Sequence, residues 1–171
     1  MLRGAAAGAI AATAWAAQQP ADKRIFRMPH DDVELLGKLA TSGRAWFPIG
    51  LAMHVGNGAV FGAIYAELAP LLPGPRWARA PIVGVAEHLL TWPLVQFSDR
   101  LHPARAELPS LAGERRAFWQ SAWRHLLFAG ILGELERRLA PEPDIDLPDE
   151  QLASSNGHGK LDRAMAAGPT T

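Results

Sequence analysis

The stretch AWFPIGLAMHVGNGAVFGAIYA, residues 45–66, decides the fold of this chain. Its 22 residues include no Asp, Glu, Lys or Arg. Because a helix needs roughly 20 apolar residues to cross a hydrocarbon core about 30 Å thick, the stretch predicts a transmembrane helix. A helix of a soluble four-helix bundle would carry charge on its solvent-facing side, so the pattern favours a membrane protein.

Small residues recur along one side of this helix. Gly50, His54, Gly58 and Gly62 follow one another at intervals of four, which places them on one helix face. Small side chains let a second helix approach closely, so His54 is expected to face other helices and not lipid. Glycines of the other predicted helices have the same role, and the full set predicted for helix packing is Gly4, Gly8, Gly50, Gly58, Gly62, Gly84 and Gly133.

Three further stretches complete an all-α fold, an integral membrane four-helix bundle. The bundle occupies residues 1–140, with spans at about residues 2–19, 45–66, 80–98 and 118–139. The first span is rich in alanine and glycine, which suits helix packing. Its alternative interpretation is a signal peptide, in which Arg3 precedes an apolar run and a small-residue cleavage site.

The connections between the spans carry their own signals. Asp31 and Glu34 form a capping box, which predicts a short amphipathic surface helix between the first two spans. Pro93 is expected to kink the third span near its end. Ser110 is a candidate N-cap before the last helix.

The chain becomes more polar toward its end. Arg124 lies about two turns into the fourth span, and we expect its side chain to extend outward to the membrane surface. Residues 141–171 contain too little apolar surface to fold, and the sequence predicts a disordered polar tail there.

Composition excludes several classes of function. Seventeen basic and seventeen acidic residues cancel, so no bulk charge indicates a nucleic-acid partner. The chain has no cysteine, and therefore no disulfide, thiolate metal site or thiol nucleophile. It also has no H-E-x-x-H motif and no phosphate-binding loop, so we do not expect an enzyme. The expected partners are the lipid bilayer and, through the small-residue stripes, a second copy or another membrane helix.

Polar residues of three spans are predicted to lie at one depth. If the spans alternate in direction, His54, His88 and His125 lie roughly 10–15 Å below the same membrane face, at about 1.5 Å per residue. Glu87 is at the level of His88, and each histidine is on the polar or small-residue side of its helix. Ionisable groups inside a membrane are usually functional, so these four residues are the candidate site.

This cluster is compatible with several kinds of chemistry. The imidazoles of His54, His88 and His125 could bind a divalent metal ion, or two of them could ligate a b-type haem. They could also relay protons or bind a polar ligand. The remaining alternative is a structural or assembly subunit that packs through its glycine stripes and binds no ligand. We expect no bound cofactor, with a metal ion or haem b as the alternatives.

A set of spaced residues runs through the last three predicted spans. It comprises His54, the segment Phe61-Gly62-x-x-Tyr65-Ala66-Glu67, then Gly84, His88, Pro93, His125-Leu126 and Glu134-x-x-Arg137-Arg138. This set resembles the YagU-type bacterial inner-membrane proteins over about residues 45–139, which implies a multi-pass protein of the bacterial inner membrane, without an established activity. The resemblance supports His54, Glu67, His88 and His125 as functional residues, and Glu67 and Glu134 complete the candidates for handling protons or a ligand.

Overall fold

The computed structural model describes residues 1–139, which form helices without any β-strand in that range. The predicted all-α class is therefore confirmed. The predicted tail, residues 141–171, lies outside the described residues. The α-helices are α1 Leu2–Phe26, α2 Asp32–Ala40, α3 Trp46–Leu68, α4 Arg76–Thr91, α5 Val95–Leu101 and α6 Arg115–Leu139, with 3₁₀ turns at Ala69–Leu71 and Trp92–Leu94.

The four long helices lie in the spatial order α3, α1, α6, α4. Helix α1 packs against both α3 and α6, and α6 also packs against α4. The amino group of Met1 lies 2.9 Å from Oε1 of Glu67, and Arg3 donates to the carbonyl oxygen of Leu139 at 3.1 Å. The start of α1 and the ends of α3 and α6 therefore meet at one end of the molecule. Helices α3 and α4 are joined by a tight turn, but they do not pack against each other.

Glycines allow the backbones of α1 and α3 to touch. A Cβ atom on Gly8 would overlap the carbonyl oxygen of Gly58, and one on Gly62 would overlap that of Gly4. Gly50 lies against the backbone of Val33 in the same way. On the other side of the molecule, Gly84 faces Ala129 and Gly133 faces Ala80. All seven predicted packing glycines thus make contacts within this chain.

Helix α1 is longer than the predicted span at residues 2–19. It continues through Pro20 to Phe26 and ends at Arg27, whose φ of 51° is left-handed. Proline removes one helical hydrogen bond, yet Pro20 lies inside the helix and does not end it. The last turns instead carry Asp22, which is fully buried in an ion pair with α6 and fixes this part of the helix against its neighbour.

The predicted third span, residues 80–98, is divided in the structure. Helix α4 ends at Thr91, and Pro93 lies in a 3₁₀ turn before the short helix α5. Proline cannot donate a backbone hydrogen bond, so the regular helix stops there. The prediction for Ser110 was wrong: its hydroxyl donates to Asp99 at 2.7 Å, and α6 begins five residues later.

Helix α2 begins as its capping signal predicts. The side chain of Asp31 accepts a hydrogen bond from the backbone N–H of Glu34 at 3.0 Å. Gly37 brings the helix into backbone contact with Trp46, so α2 lies against the first turns of α3. Leu35 and Leu36 of α2 thereby reach the cleft described below.

Candidate functional site

A cleft of about 250 Å³ opens between α3 and α4, the first and last helices of the order α3, α1, α6, α4, which do not pack side by side. Helices α1 and α6 contribute to its lining, and α2 adds two leucines and an aspartate. The polar residues that line it are Asp32, His54, Asn57, Glu87 and His125. The others are apolar: Ala12, Trp15, Leu35, Leu36, Gly58, Phe61, Gly84 and Phe128.

His125 and Glu87 form a close pair in the wall of this cleft. Nε2 of His125 lies 2.6 Å from Oε2 of Glu87, and Nδ1 lies 2.7 Å from the carbonyl oxygen of Ser121. A carbonyl oxygen can only accept, so Nδ1 carries a hydrogen. A hydrogen bond between Nε2 and Oε2 then requires a second hydrogen, which is carried either by the imidazole or by the carboxyl group of Glu87. The pair therefore shares one proton in the wall of the cleft.

Ser121 extends this pair to a second histidine. Its hydroxyl oxygen lies 3.3 Å from Nδ1 of His88 and 3.4 Å from Nδ1 of His125. Because Nδ1 of His125 donates, the serine hydroxyl can accept there and donate to His88. The ring of His88 packs against those of Trp92 and Phe118, with centroids 5.6 and 4.7 Å away. A polar chain thus runs from the cleft into an aromatic enclosure.

His54 faces the same cleft but has no direct hydrogen bond to the other histidines. The indole ring of Trp15 lies between them, with its centroid 5.3 Å from that of His54 and 4.9 Å from that of His125. His54 is 8% exposed, and its Nε2 has no hydrogen-bond partner among residues 1–139. A buried nitrogen without a partner is costly, so His54 is a polar group beside the cleft whose Nε2 the fold leaves unsatisfied.

Arg124 is completely buried, so the prediction that it extends to the membrane surface was wrong. Its Nε and Nη2 atoms donate to the two carboxylate oxygens of Asp22, each at 2.6 Å, and Nη1 donates to Asp32 at 2.6 Å. Gln120 donates to Asp22 and to the backbone of Met28. This network attaches α1, α2 and the connection between them to α6. A buried arginine needs opposite charges beside it. Asp22 and Asp32 supply them, so the Arg124 side chain stays inside the protein and does not extend into water.

Asp32 connects that network to the cleft. It accepts a hydrogen bond from Nε1 of Trp15 at 3.0 Å, and its other oxygen lies 3.1 Å from Nε2 of His30. Burial alone would raise the pKa of Asp32, but His30 and Arg124 together hold the pKa of this carboxyl group well below its usual value. The group is therefore an anion at neutral pH, and it orients the indole that separates His54 from His125.

The other predicted candidates lie elsewhere. Glu67 binds the amino group of Met1, and Glu134 binds Arg137 and Arg138, all outside the cleft. Within residues 1–139, no group of three or more His, Asp or Glu side chains is placed to hold a metal ion. The structure therefore brings Glu87, His88 and His125 into one hydrogen-bonded chain with Ser121, and leaves His54 on the far side of Trp15.

Several residues of the cleft were not among the sequence candidates. Trp15 and Asp32 come from the first helix and the surface helix, and Asn57 lies one residue before Gly58 on α3. Asn57 was detectable as the only amide side chain in the uncharged stretch. Trp15 and Asp32 were not, because their positions depend on the packing of α1 and α2.

Comparison with known proteins gave no match of any kind. No family model fits the chain, and neither a curated protein nor a solved structure is significantly similar to it. The function must therefore be argued from the cleft itself.

Proposed function

We propose that this chain is a multi-pass protein of the bacterial inner membrane, crossed by α1, α3, α4 and α6. The main support is the helical stretch Trp46–Leu71, the one stretch among residues 1–139 that is long and apolar enough by itself to cross a membrane, with a mean hydropathy of 1.3 over its most apolar 18 residues. Only 22% of its most apolar window is buried, whereas the core helix of a soluble protein is mostly buried. The resemblance to YagU-type proteins favours the bacterial inner membrane.

Large apolar side chains on the outside of the other helices support the same proposal. Leu90 of α4 is 77% exposed, and comparable exposure is found on all four long helices. So much apolar surface is unusual in a monomeric soluble protein, and a hydrocarbon environment would cover it. Examples are Ile10, Val60, Ile64, Ile82, Leu89, Trp119 and Trp123.

Within that membrane, the protein is proposed to bind a small polar or amphipathic molecule in the cleft and to exchange a proton with it. The observation that carries this proposal is the His125–Glu87 pair, whose Nε2 and Oε2 atoms lie 2.6 Å apart in the wall of an open cavity. Clefts lined by apolar side chains with a few convergent polar groups are the usual form of small-molecule sites. His54 and Asn57 are further polar residues of the lining.

The membrane location can be tested by washing membranes with alkaline carbonate. An integral protein stays in the pellet, and a soluble bundle or a peripherally attached protein is released. Recovery of the protein in the supernatant would refute the proposal. A known peripheral protein of the same membranes serves as the control for a complete wash.

The cleft can be tested with a small photoreactive phenyl diazirine that dissolves in lipid. Phe128 is 7% exposed and lines the cleft, so the probe should label it from inside that space. Tandem mass spectrometry would locate the labelled residue. Asn57→Trp should fill the cleft and remove the label, while Val60→Trp, on the outer side of the same helix, should not. Equal labelling of Phe128 in wild type and both variants would show that the probe does not reach Phe128 through the cleft.

The alternative of a structural or assembly subunit has less support. It rested on glycine stripes that would pack against a partner helix. All seven of those glycines, Gly4, Gly8, Gly50, Gly58, Gly62, Gly84 and Gly133, contact other parts of this same chain.

A further inference from the structure

We propose that the molecule taken by the cleft is a protonated amine that carries an apolar group. This inference rests on the proposed function, because it specifies the class of ligand for the same cavity. The argument uses the charge of the lining, the free polar atoms and the volume of the space.

The charge of the lining favours a cation. Two carboxylates, Glu87 and Asp32, line the cleft, and no lysine or arginine is among its lining residues. Arg124 neutralises Asp32 from the opposite side of the network. The side chain of Glu87 is 35% exposed, and its Oε2 atom pairs with His125. Its other oxygen, Oε1, has no hydrogen-bond partner within residues 1–139. A carboxylate can accept several hydrogen bonds, so Oε1 is a site for a positively charged donor.

The other polar atoms of the cleft suit an ammonium group. A primary ammonium has three donors and no acceptor. The cleft offers the carboxylate oxygen of Glu87 that does not bond to His125, and the amide residue Asn57 also lines it. A carboxylate ligand would instead find no lysine or arginine among the lining residues. An anion would therefore lose its hydration in a largely apolar site without either of these counter-charges.

The remaining walls suit a ring or a short hydrocarbon. Trp15, Phe61 and Phe128 supply aromatic surfaces, and aromatic rings also attract cations. An apolar cavity of about 150 Å³ accommodates benzene. The space of about 250 Å³ is therefore large enough for one ring and a short chain ending in an amine.

Binding can be measured with tritiated 4-phenylbutylammonium on the purified full-length protein in detergent, by scintillation proximity. Unlabelled 4-phenylbutan-1-ol and 4-phenylbutanoate are the neutral and anionic competitors with the same ring. We expect the unlabelled amine to compete about tenfold more strongly than the alcohol, since hydrogen bonds to an ionised group are roughly twice as strong as neutral ones. The carboxylate should compete least.

Two pairs of variants assign the binding to the cleft. Glu87→Gln should abolish the preference for the amine, and Glu67→Gln, outside the cleft, should leave it unchanged. Asn57→Trp should reduce binding without removing either partner of the His125–Glu87 pair, and Val60→Trp should not. These two tryptophan variants keep the test valid if Glu87→Gln does not fold.

The outcomes separate this inference from the proposed function. Equal competition by amine, alcohol and carboxylate would overturn the inference and leave a ligand cleft in place. An equal loss in Glu67→Gln and Glu87→Gln would show attraction by general surface charge, which also overturns it. If the amine does not bind while the diazirine still labels Phe128, the inference fails alone. If both experiments fail, the proposed function fails with it.

Discussion

The imidazole of His125 lies between two acceptors, with Nε2 2.6 Å from the carboxylate of Glu87 and Nδ1 2.7 Å from the carbonyl oxygen of Ser121. This arrangement requires hydrogen on both sides of the ring, one of them shared with Glu87. His125 belongs to α6 and Glu87 to α4, so this contact also links two helices that pack side by side.

The first prediction concerns that proton. Glu87→Gln removes the anionic acceptor, and a glutamine amide can donate to Nε2. The Nε2 resonance of His125 should therefore move toward that of an unprotonated ring nitrogen. Nitrogen NMR on protein labelled at histidine measures this shift, and Glu67→Gln is the matched control. An unchanged His125 spectrum in the Glu87 variant would contradict the shared proton.

The second prediction concerns the buried network. Arg124→Met leaves Asp22 and Asp32 without their counter-charge, and removal of one partner from a buried pair costs about 3–5 kcal/mol. We expect a loss of that order in the free energy of unfolding, measured by denaturant titration of the purified protein. Arg137→Met, which removes an exposed partner of Glu134 on the same helix, should change stability little. Similar losses in unfolding free energy for the two variants would show that the buried network stabilises the fold no more than the exposed pair does.

The third prediction is a dependence on pH. The pKa of Asp32 is lowered by folding, so its contribution to stability is present above the unfolded pKa of about 3.9 and is lost as the pH falls through the folded pKa. The stability difference between wild type and Asp32→Asn should therefore be constant near neutral pH and decrease only below about pH 4. Unfolding of both proteins over that range measures it, with Glu114→Gln as a surface control. A difference that begins to decrease near pH 6 would point to a histidine instead.

The fourth prediction concerns the contact between α1 and α3. Gly8→Ala places a methyl group against the carbonyl oxygen of Gly58, and overpacking of this kind costs about 1–3 kcal/mol. Gly56→Ala on α3 has open space around its new methyl group. It should be neutral or stabilising, by up to about 1 kcal/mol, because alanine is the better helix former. The two unfolding free energies should therefore change in opposite directions or by clearly different amounts.

The helices could largely be predicted from the sequence because each has a local cause. The uncharged stretch gave α3, the Asp31–Glu34 capping pattern gave α2, and Pro93 marked the break after α4. Spacing along the helices also put His88 and His125 at one level, and their ring centroids are 5.0 Å apart. Periodicity is a property of one helix at a time, so these features needed no knowledge of packing.

The buried charges could not be predicted in the same way. Asp22 and Arg124 are 102 residues apart, and each by itself looks like a residue that should reach water. Only the position of α1 beside α6 makes them partners. The same is true of Trp15, whose place between His54 and His125 depends on the register of α1 against two other helices.

The spatial order α3, α1, α6, α4 has a consequence for biosynthesis. A ribosome produces α3 and α4 one after the other, yet in the finished protein α3 packs against α1 and α4 packs against α6. Until α6 is made, Glu87 lacks the imidazole that shares its proton, and Asp22 lacks its guanidinium. A nascent chain that ends before residue 115 is thus an incomplete protein with uncompensated acidic groups.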